Sequence, residues 1–216
     1  MIGDTPSAAQ LNGLTDPFTR ELASLGRLRT YPKNTVFITE GDSSDSVFVI
    51  LSGRVKVFIS DSEGHEMILD MQGPGEYVGE MALDGKPRSA SVMTLEPSTF
   101  AVVARDPIRE AIRGNPDFAL EMISRIIDRA RIATSSVKDL ALLDVYGRVA
   151  RLLLNLSVEK EGKLVIPDKI TQQEIAERVG ASRDMVSRIF RDLTAGGYIT
   201  VENRFITINK KPPACW

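Results

Sequence analysis

Residues 170–208 read ITQQEIAERVGASRDMVSRIFRDLTAGGYITVENRFITI, and this stretch decides the fold of the C-terminal part of the chain. Thr171 and Glu174 have the spacing of a capping box, which predicts a short helix that ends at Gly180. Ser182 follows as the N-cap of a second helix. Two helices joined by a turn of three or four residues that contains glycine predict a helix-turn-helix.

The second of these helices, which runs to about Thr194, has one apolar and one polar face. Its apolar face consists of Val186, Ile189, Phe190 and Leu193. Its polar face carries Arg183, Asp184, Ser187, Arg188 and Arg191. Arginine can donate two hydrogen bonds to guanine and an acid can accept from cytosine, so this polar face is suited to the DNA major groove and to a step containing C·G.

The residues around the two helices support DNA binding over a purely structural helix-turn-helix with a solvated polar face. The alternating runs ITV and FITI, which turn at ENR, predict the hairpin wing of a winged module. Residues 169–211 hold eight basic and five acidic side chains, whereas the whole chain has a net charge of −2. The excess of positive charge therefore lies where a DNA-binding module is predicted.

Upstream of this module, the sequence predicts one long helix. No helix breaker occurs between Pro116 and the segment 144–147, and a further amphipathic helix begins at DVYGRVARLLLNLS. A heptad seam runs along the long helix through Ala119, Ile123, Ile126, Ala130, Ala133, Val137 and Leu140. The seam predicts a homodimer, and packing on the chain's own β domain through a stripe with Leu120 and Ile127 is the alternative.

Short β-prone runs fill the region from Leu28 to about Ala104, after a helix that begins at Asp16 and Pro17. The runs are TVFI, SVFVIL, RVKVFI, EMILDM and TFAVV. Turns between them are predicted at Gly41, Gly53, Gly64 and Gly75. Such spacing is typical of an antiparallel barrel or a jelly-roll-like sandwich. Asp106 with Pro107, and Asn115 with Pro116, then predict two helix starts.

The composition, with 43% hydrophobic and 26% charged among 216 residues, is that of a folded globular protein. No apolar run reaches the roughly 18 to 20 residues that span a bilayer, and MIGDTPSAAQ lacks a signal-peptide pattern. We therefore expect a cytoplasmic protein without a membrane partner. One cysteine, Cys215, excludes a cysteine-rich zinc or iron–sulfur site within one chain. His65 fits a solvated turn better than a haem ligand, so no metal and no cofactor is expected.

These regions together resemble the cyclic-AMP receptor protein (CRP/FNR) superfamily of bacterial transcription regulators. The resemblance runs from about Tyr31 to Ile208. It includes YPKNTVFITEGD, SEGHEMIL, GEMALDGKPRSASV, LALLDVYGRVA and ITQQEIAERVGASRDMVSR. It implies an α+β fold with an N-terminal antiparallel, jelly-roll-like β-roll that binds a nucleotide (1–115), a long dimerisation helix (116–143) and a C-terminal winged helix-turn-helix domain (144–216).

The same resemblance implies the ligand-binding residues within GEMALDGKPRSASV, residues 79–92, hereafter the cassette. Arg88 and Ser89 would bind the cyclic phosphate, Glu80 would accept from the ribose 2′-hydroxyl, and Gly79 would allow close backbone approach. The chemistry agrees, because a buried phosphate requires a guanidinium or hydroxyl donor and a ribose hydroxyl requires an acceptor. An ordinary surface loop is the alternative, which the joint spacing disfavours.

Two departures from the family pattern bear on specificity. Two successive hydroxyl residues of the cyclic-AMP receptor protein correspond here to Ala133 and Thr134, so one contact to the base is missing. Cyclic AMP is the expected ligand, with cyclic GMP and cyclic di-GMP as alternatives, and Thr134 is the remaining base contact. Asp184 stands where many relatives have glutamate, and because its side chain is shorter we expect a different preferred operator. Arg183 and Arg188 imply that this operator is still a related palindromic site.

The resemblance also implies partners and a mechanism. Double-stranded DNA would be contacted by Gln173, Ser182, Arg183, Asp184, Ser187 and Arg188. RNA polymerase is a further expected partner, and no enzymatic activity is expected because the serines and carboxylates form no catalytic pattern. Ligand binding would favour one dimer arrangement, which separates the recognition helices by one turn of DNA, about 34 Å. A nucleotide module controlling an enzyme or channel, and a regulator that acts without ligand, are the other hypotheses.

Overall fold

The structure is a computed structural model that describes residues 3–212, and Cys215 lies outside them. The described chain forms two compact units. They are residues 3–60 with 68–129, and residues 61–67 with 130–212. The predicted division into three parts at residues 115 and 143 is not tested by these units and stays a prediction.

Among the described residues, eight strands form the N-terminal β-roll. They are β1 Arg27–Tyr31, β2 Val36–Ile38, β3 Ser46–Ser52, β4 Val55–Ser60, β5 Glu66–Gln72, β6 Tyr77–Val78, β7 Ser91–Thr94 and β8 Ser98–Ala104. The strand orders are β1-β8-β3-β6 in one sheet and β2-β7-β4-β5 in the other. The pairs β1–β8, β3–β8 and β4–β7 run antiparallel. The predicted antiparallel β-roll is therefore confirmed.

Tight turns and two apolar clusters shape the roll. Gly53 has a φ of +93°, and a Cβ there would lie 2.1 Å from the hydroxyl of Ser98, so only glycine fits the turn between β3 and β4. One cluster joins the sheets through Ile38, Phe48, Ile50, Val55, Val78, Val92 and Phe100. The second packs the N-terminal helices on the roll through Leu14, Phe18, Leu22, Val47, Tyr77 and Phe118, among others.

Four helices and one 3-10 turn accompany the roll. They are α1 Ala8–Asn12, α2 Pro17–Ser24, the 3-10 turn Glu80–Asp84, α3 Arg105–Gly114 and α4 Pro116–Leu142. Asp16 caps α2 by accepting from the Thr19 amide at 2.7 Å, as predicted. The predicted cap at Asp106 is wrong, because α3 begins at Arg105, two residues before the start that this cap would give, and its N-cap, Ala104, has no side-chain acceptor. Pro107 therefore lies in the first turn, where its missing N–H costs nothing.

Helix α4 is continuous over 27 residues, which confirms the predicted long helix. Its buried residues are Phe118 and Met122, so neither the heptad seam nor the stripe with Leu120 and Ile127 is its buried face. Exposed apolar side chains on α4 are Leu120, Ile123, Ile126, Ile127, Ile132, Val137, Leu140 and Leu142. The helix thus carries far more apolar surface than the described residues cover.

The C-terminal region is a winged helix-turn-helix. Its elements are α5 Val145–Leu156, β9 Val158–Lys160, β10 Lys163–Ile166, α6 Gln172–Val179, α7 Arg183–Ala195, β11 Ile199–Glu202 and β12 Phe205–Ile208. The sheet order is β11-β12-β10-β9. One core, which includes Val149, Leu153, Ile175, Val186, Phe190, Leu193 and Ile206, holds helices and sheet together. The β9–β10 hairpin was not predicted from the sequence.

The predicted caps of the two motif helices form with one change. Thr171 accepts from the Glu174 amide at 3.1 Å, and Gly180 ends α6 in the left-handed region with a φ of 61°. The Glu174 carboxylate does not complete the capping box; it accepts from Arg178 at 2.7 Å instead. A charged donor one turn away outcompetes a neutral backbone amide for the carboxylate.

Candidate nucleotide pocket and DNA-binding surface

Gly79 precedes the 3-10 turn of the cassette in a conformation that only glycine adopts easily. Its φ is +89°, and a Cβ there would lie 2.6 Å from Nη1 of Arg88 and 3.0 Å from the Ser46 carbonyl oxygen. The absence of a side chain therefore lets the guanidinium approach the backbone. Gly79 and Arg88 are nine residues apart in sequence, and the guanidinium of Arg88 donates a hydrogen bond to the Gly79 carbonyl.

Arg88 is buried, with only 5% of its surface exposed. Its guanidinium donates three hydrogen bonds: to the Gly79 carbonyl at 2.6 Å, to Oγ of Ser44 at 2.7 Å and to the Ser46 carbonyl at 2.7 Å. Burial lowers the pKa of Arg88, against the opposing charges of Glu80 and Asp45, and arginine remains protonated at neutral pH. Within residues 3–212, no carboxylate forms an ion pair with it.

A buried cation without a bound carboxylate is a favourable place for an anion. Arginine has five N–H donors, and the three hydrogen bonds leave donor capacity for a phosphate. Ser44 was missed by the sequence analysis, because a serine in the loop GDSSDS gives no signal that its hydroxyl meets an arginine 44 residues away.

Glu80 is only 10% exposed and forms an ion pair with Arg129, at 2.8 Å between Oε2 and Nη1. Arg129 also donates to the Tyr77 carbonyl at 2.5 Å, and its guanidinium lies 4.6 Å from the centre of the Tyr77 ring. Burial lowers the pKa of Arg129, but the charge and hydrogen bond of Glu80, together with the smaller effects of Tyr77 and Asp70, raise it overall. Arg129 was also missed, since the seam analysis considered only apolar positions of α4.

Ser89 and Thr134, the other predicted ligand residues, are both exposed. The Ser89 hydroxyl lies 3.1 Å from Sδ of Met81, a weak acceptor that an oxygen of a ligand can replace. The Thr134 hydroxyl donates to the Ala130 carbonyl one turn earlier on α4. Thr134 belongs to the second compact unit, so the structure brings Gly79, Glu80, Arg88 and Ser89 together and leaves the base contact a prediction.

The predicted DNA-contacting residues lie on α6, α7 and the turn between them. Arg183, Asp184 and Arg188 are exposed on α7, and Ser187 is half-buried beside them. Within residues 3–212, none of these charged side chains forms an ion pair, so all are available to a ligand.

Two further predicted contacts already have partners within the chain. The Ser182 hydroxyl accepts from the Met185 amide at 3.2 Å as the N-cap of α7. Gln173 donates to Glu177 at 2.9 Å on α6. Ser182 thus has a structural role besides any contact with DNA.

An open groove of about 520 Å³ lies next to this surface. It is lined by Gln172, Ser187, Phe190, Arg191, Thr194, Ala195 and Val201. The groove joins the polar face of α7 to strand β11 of the wing. Residues 3–212 contain no cluster of potential metal ligands. No helix within the same range is long and apolar enough to cross a membrane.

Comparison with known proteins places both regions in one family. Residues 28–115 match the cyclic nucleotide-binding domain family, and residues 147–212 match the Crp-like helix-turn-helix domain. The cAMP-activated global transcriptional regulator CRP of Salmonella typhimurium is 34% identical over 200 residues, 90% of this chain and 95% of the relative. The chain belongs to the CRP/FNR family. The family predicted from the sequence is thereby confirmed.

Other relatives agree. The CRP-like cAMP-activated global transcriptional regulator of Mycobacterium tuberculosis is 31% identical over 184 residues, 83% of this chain and 82% of the relative. Among solved structures, the c-di-GMP responsive regulator CLP of Xanthomonas campestris has a TM-score of 0.76 at 24% identity, covering 94% of this chain and all of CLP. FixK2 of Bradyrhizobium japonicum has a TM-score of 0.73 at 18% identity, covering 86% and 93%. These two structures show the shared fold.

Membership in the CRP/FNR family establishes the broad function of the chain. It is a transcription regulator with a cyclic nucleotide-binding domain and a DNA-binding helix-turn-helix. Gly79, Glu80, Arg88 and Ser89 fall within the matched nucleotide domain, and the predicted DNA contacts fall within the matched helix-turn-helix domain. Thr134 lies in neither matched range.

Proposed function

We propose that the chain is a homodimeric regulator that binds a cyclic nucleotide at the cassette and then binds a palindromic promoter site more tightly. The observation that carries the proposal is the buried guanidinium of Arg88, with which no carboxylate forms an ion pair within residues 3–212. The regulator would act with RNA polymerase in the cytoplasm, and it would have no catalytic activity of its own.

The cassette has the donors and acceptors that a nucleotide needs. Arg88 supplies charge and the remaining donors to the cyclic phosphate, and Ser89 adds a hydroxyl after releasing the Met81 sulfur. Glu80 accepts from the ribose hydroxyl while Arg129 holds its other side, because the ion pair engages the oxygen Oε2. Arg129 thus acts as a positioning residue for the carboxylate.

Cyclic AMP is the favoured nucleotide. The assignment is supported by two relatives that are cAMP-activated regulators and are 34% and 31% identical to this chain. Cyclic GMP and cyclic di-GMP are the alternatives, since Ala133 offers no hydroxyl to the base and the structurally similar CLP is a c-di-GMP responsive regulator.

Dimerisation is supported by the apolar side chains of α4. Ile123, Ile126, Val137 and Leu140 belong to the predicted heptad seam, and each is at least 40% exposed. Covering such a stripe by the same stripe of a second chain would remove it from water, as in a parallel coiled coil. The seam's alanines, Ala119, Ala130 and Ala133, would allow close approach of the helices.

Ligand binding and DNA binding are coupled in this proposal through the equilibrium between dimer arrangements. A nucleotide shifts that equilibrium only to the extent that it binds one arrangement more tightly. The favoured arrangement places the two α7 helices about 34 Å apart, which is one turn of DNA. Since linkage is reciprocal, operator DNA must tighten nucleotide binding by the same factor.

Isothermal titration of the full chain with cyclic AMP, cyclic GMP and cyclic di-GMP tests the ligand assignment. We expect saturable binding of one nucleotide per chain, strongest for cyclic AMP, and its loss in Arg88→Ala. Size-exclusion chromatography with light scattering tests the dimer, with Val137→Glu as a variant that should dissociate it. Binding of no nucleotide by the folded wild type would contradict the proposal.

A further inference from the structure

The C-terminal sheet contains two hairpins of the same construction. In the first, Lys160 pairs with Lys163, which leaves Glu161 and Gly162 as a two-residue loop. In the second, the wing, Glu202 pairs with Phe205 across a loop of two residues. Both residues of both loops have positive φ, at 53° and 74° in the first and 51° and 70° in the second. This is the backbone pattern of type I′ turns.

The two loops differ at their second position. A type I′ turn favours glycine there, because a Cβ is strained at positive φ. The first hairpin has Gly162 at this position, whereas the wing has Arg204, with a φ of 70°. A long side chain at such an angle is rare and is found where the surrounding structure or a function requires it.

The wing, and not the other hairpin, lies next to the recognition helix. Strand β11 is at one edge of the sheet and β9 is at the opposite edge. Val201 of β11 lines the same groove as Ser187 and Arg191 of α7. The tip of the wing therefore extends from the border of the DNA-binding surface, and the loop of Glu161 and Gly162 lies at the far side of the sheet.

The hairpins also differ in the kind of basic group that they carry. Arg204 is exposed at the wing tip, and within residues 3–212 no carboxylate forms an ion pair with it. The far hairpin has Glu161 and Gly162 in its loop and Lys160 and Lys163 beside the loop, but no arginine. Only the tip beside the recognition helix has a guanidinium to offer to DNA.

We propose that Arg204 enters the DNA minor groove beside the half-site read by α7 and gives the chain a preference for A·T base pairs there. A narrow A·T-rich minor groove has an enhanced negative potential that attracts arginine. A G·C pair disfavours the arginine for a second reason, because the 2-amino group of guanine projects into the minor groove and occupies the space. Arginine suits this role better than lysine, since it is less strongly hydrated. The inference rests on DNA binding by the helix-turn-helix and not on which nucleotide binds.

The test uses an operator that the full chain itself selects from a random DNA pool, in parallel selections without nucleotide and with cyclic AMP, cyclic GMP or cyclic di-GMP. Affinity is then measured for versions that differ only beside the half-sites, with A·T, G·C or inosine·C pairs. Inosine·C keeps the major-groove pattern of G·C but lacks the 2-amino group in the minor groove. We expect A·T and inosine·C flanks to bind about 5- to 10-fold more tightly than G·C.

Three variants identify the responsible residue. Arg204→Lys should retain affinity for the G·C version within about 2-fold and lose the flank preference. Arg204→Gly should lose the preference and raise Tm by about 2 °C, because glycine relieves the turn. Glu161→Ala, in the far hairpin, should leave the flank preference unchanged.

The inference is overturned if the wild type binds all three flanks equally, which would leave Arg204 as a phosphate contact. It is also overturned if Arg204→Lys keeps the preference. A preference for A·T that inosine·C does not reproduce would assign the effect to the major groove or to DNA stiffness, and this too would contradict it.

Discussion

The cassette and the recognition helix present their polar groups in opposite ways. In the cassette, Arg88 is 5% exposed and is hydrogen-bonded to two carbonyls and a hydroxyl of the chain, and Glu80 is held by Arg129. On α7, Arg183 and Arg188 are exposed and form no ion pair within residues 3–212.

This difference distinguishes two kinds of binding site. A buried site must satisfy its polar groups even when it is empty, so its ligand replaces or joins partners that are already present. An exposed site can leave its charges to water until DNA arrives. Replacing an arginine by alanine should therefore lower both stability and ligand affinity in the cassette. On α7 it should lower DNA affinity alone.

Arg88→Ala should have the largest effect and tests the cassette half of the comparison. Loss of the charge-assisted bonds to phosphate should weaken cyclic nucleotide binding by at least about 100-fold, as calorimetry would measure. Arg88→Lys, which keeps the charge but not the planar set of donors, should recover only part of the affinity. Nucleotide affinity within 2-fold of the wild type in a folded Arg88→Ala would remove Arg88 from the site.

Arg183→Ala tests the second half of the comparison, the exposed polar face of α7. Operator affinity should fall by about 10- to 100-fold, which corresponds to about 1–3 kcal/mol for a base contact. Nucleotide affinity and Tm should stay unchanged, because the side chain is exposed and unpaired. A fall in Tm of more than a few degrees would show that Arg183, like the cassette residues, also stabilises the fold, and this would contradict the comparison.

Gly79→Ala tests whether the cassette requires the close approach of the Arg88 guanidinium to the Gly79 backbone. The new Cβ would lie 2.6 Å from Nη1 of Arg88, and its φ of +89° is strained for alanine. We expect a loss of about 1–3 kcal/mol in unfolding free energy together with weaker nucleotide binding. Gly64→Ala provides a matched control, because Gly64 also has a positive φ but no atom within 4 Å of its Cβ position. Equal loss of nucleotide affinity in both variants would contradict the specific role of Gly79.

Tyr77→Phe should have the smallest effect at neutral pH. The Tyr77 hydroxyl is buried and has no hydrogen-bond partner within residues 3–212, so its removal should change stability by less than about 1 kcal/mol. Burial raises the pKa of Tyr77 from 10.0 to about 12. The wild type should therefore lose stability as pH rises from 10 to about 12, because the unfolded chain releases the phenolic proton first.

The two chains can be compared by urea unfolding at pH 8 and pH 11. Tyr77→Phe should lose less stability than the wild type between these values, since it has no phenol to ionise. An equal loss in both would show that other groups cause the alkaline effect.

Much of the fold could be predicted from the sequence. Caps at Thr171, Ser182 and Asp16 are local signals, and each accepts from an amide three residues away. Apolar periodicity likewise predicted the buried face of α7. These features follow from short-range rules that a sequence displays directly.

The cassette was predictable only in part, for a physical reason. Gly79, Glu80, Arg88 and Ser89 are close in sequence and matched a family pattern. Ser44 and Arg129 complete the site from 44 and 49 residues away in sequence, through contacts that depend on the folding of the β-roll and α4. The buried stripe of α4 was missed similarly, because Phe118 and Met122 lie outside the heptad seam that dominates its pattern.

The most direct test of the account is the affinity of the full chain for its selected operator, measured by fluorescence anisotropy with and without saturating cyclic AMP, cyclic GMP or cyclic di-GMP. We predict that one nucleotide, with cyclic AMP the first candidate, tightens DNA binding by at least about 10-fold in the wild type and has no effect in Arg88→Ala. Equal DNA affinity with and without every nucleotide would contradict it.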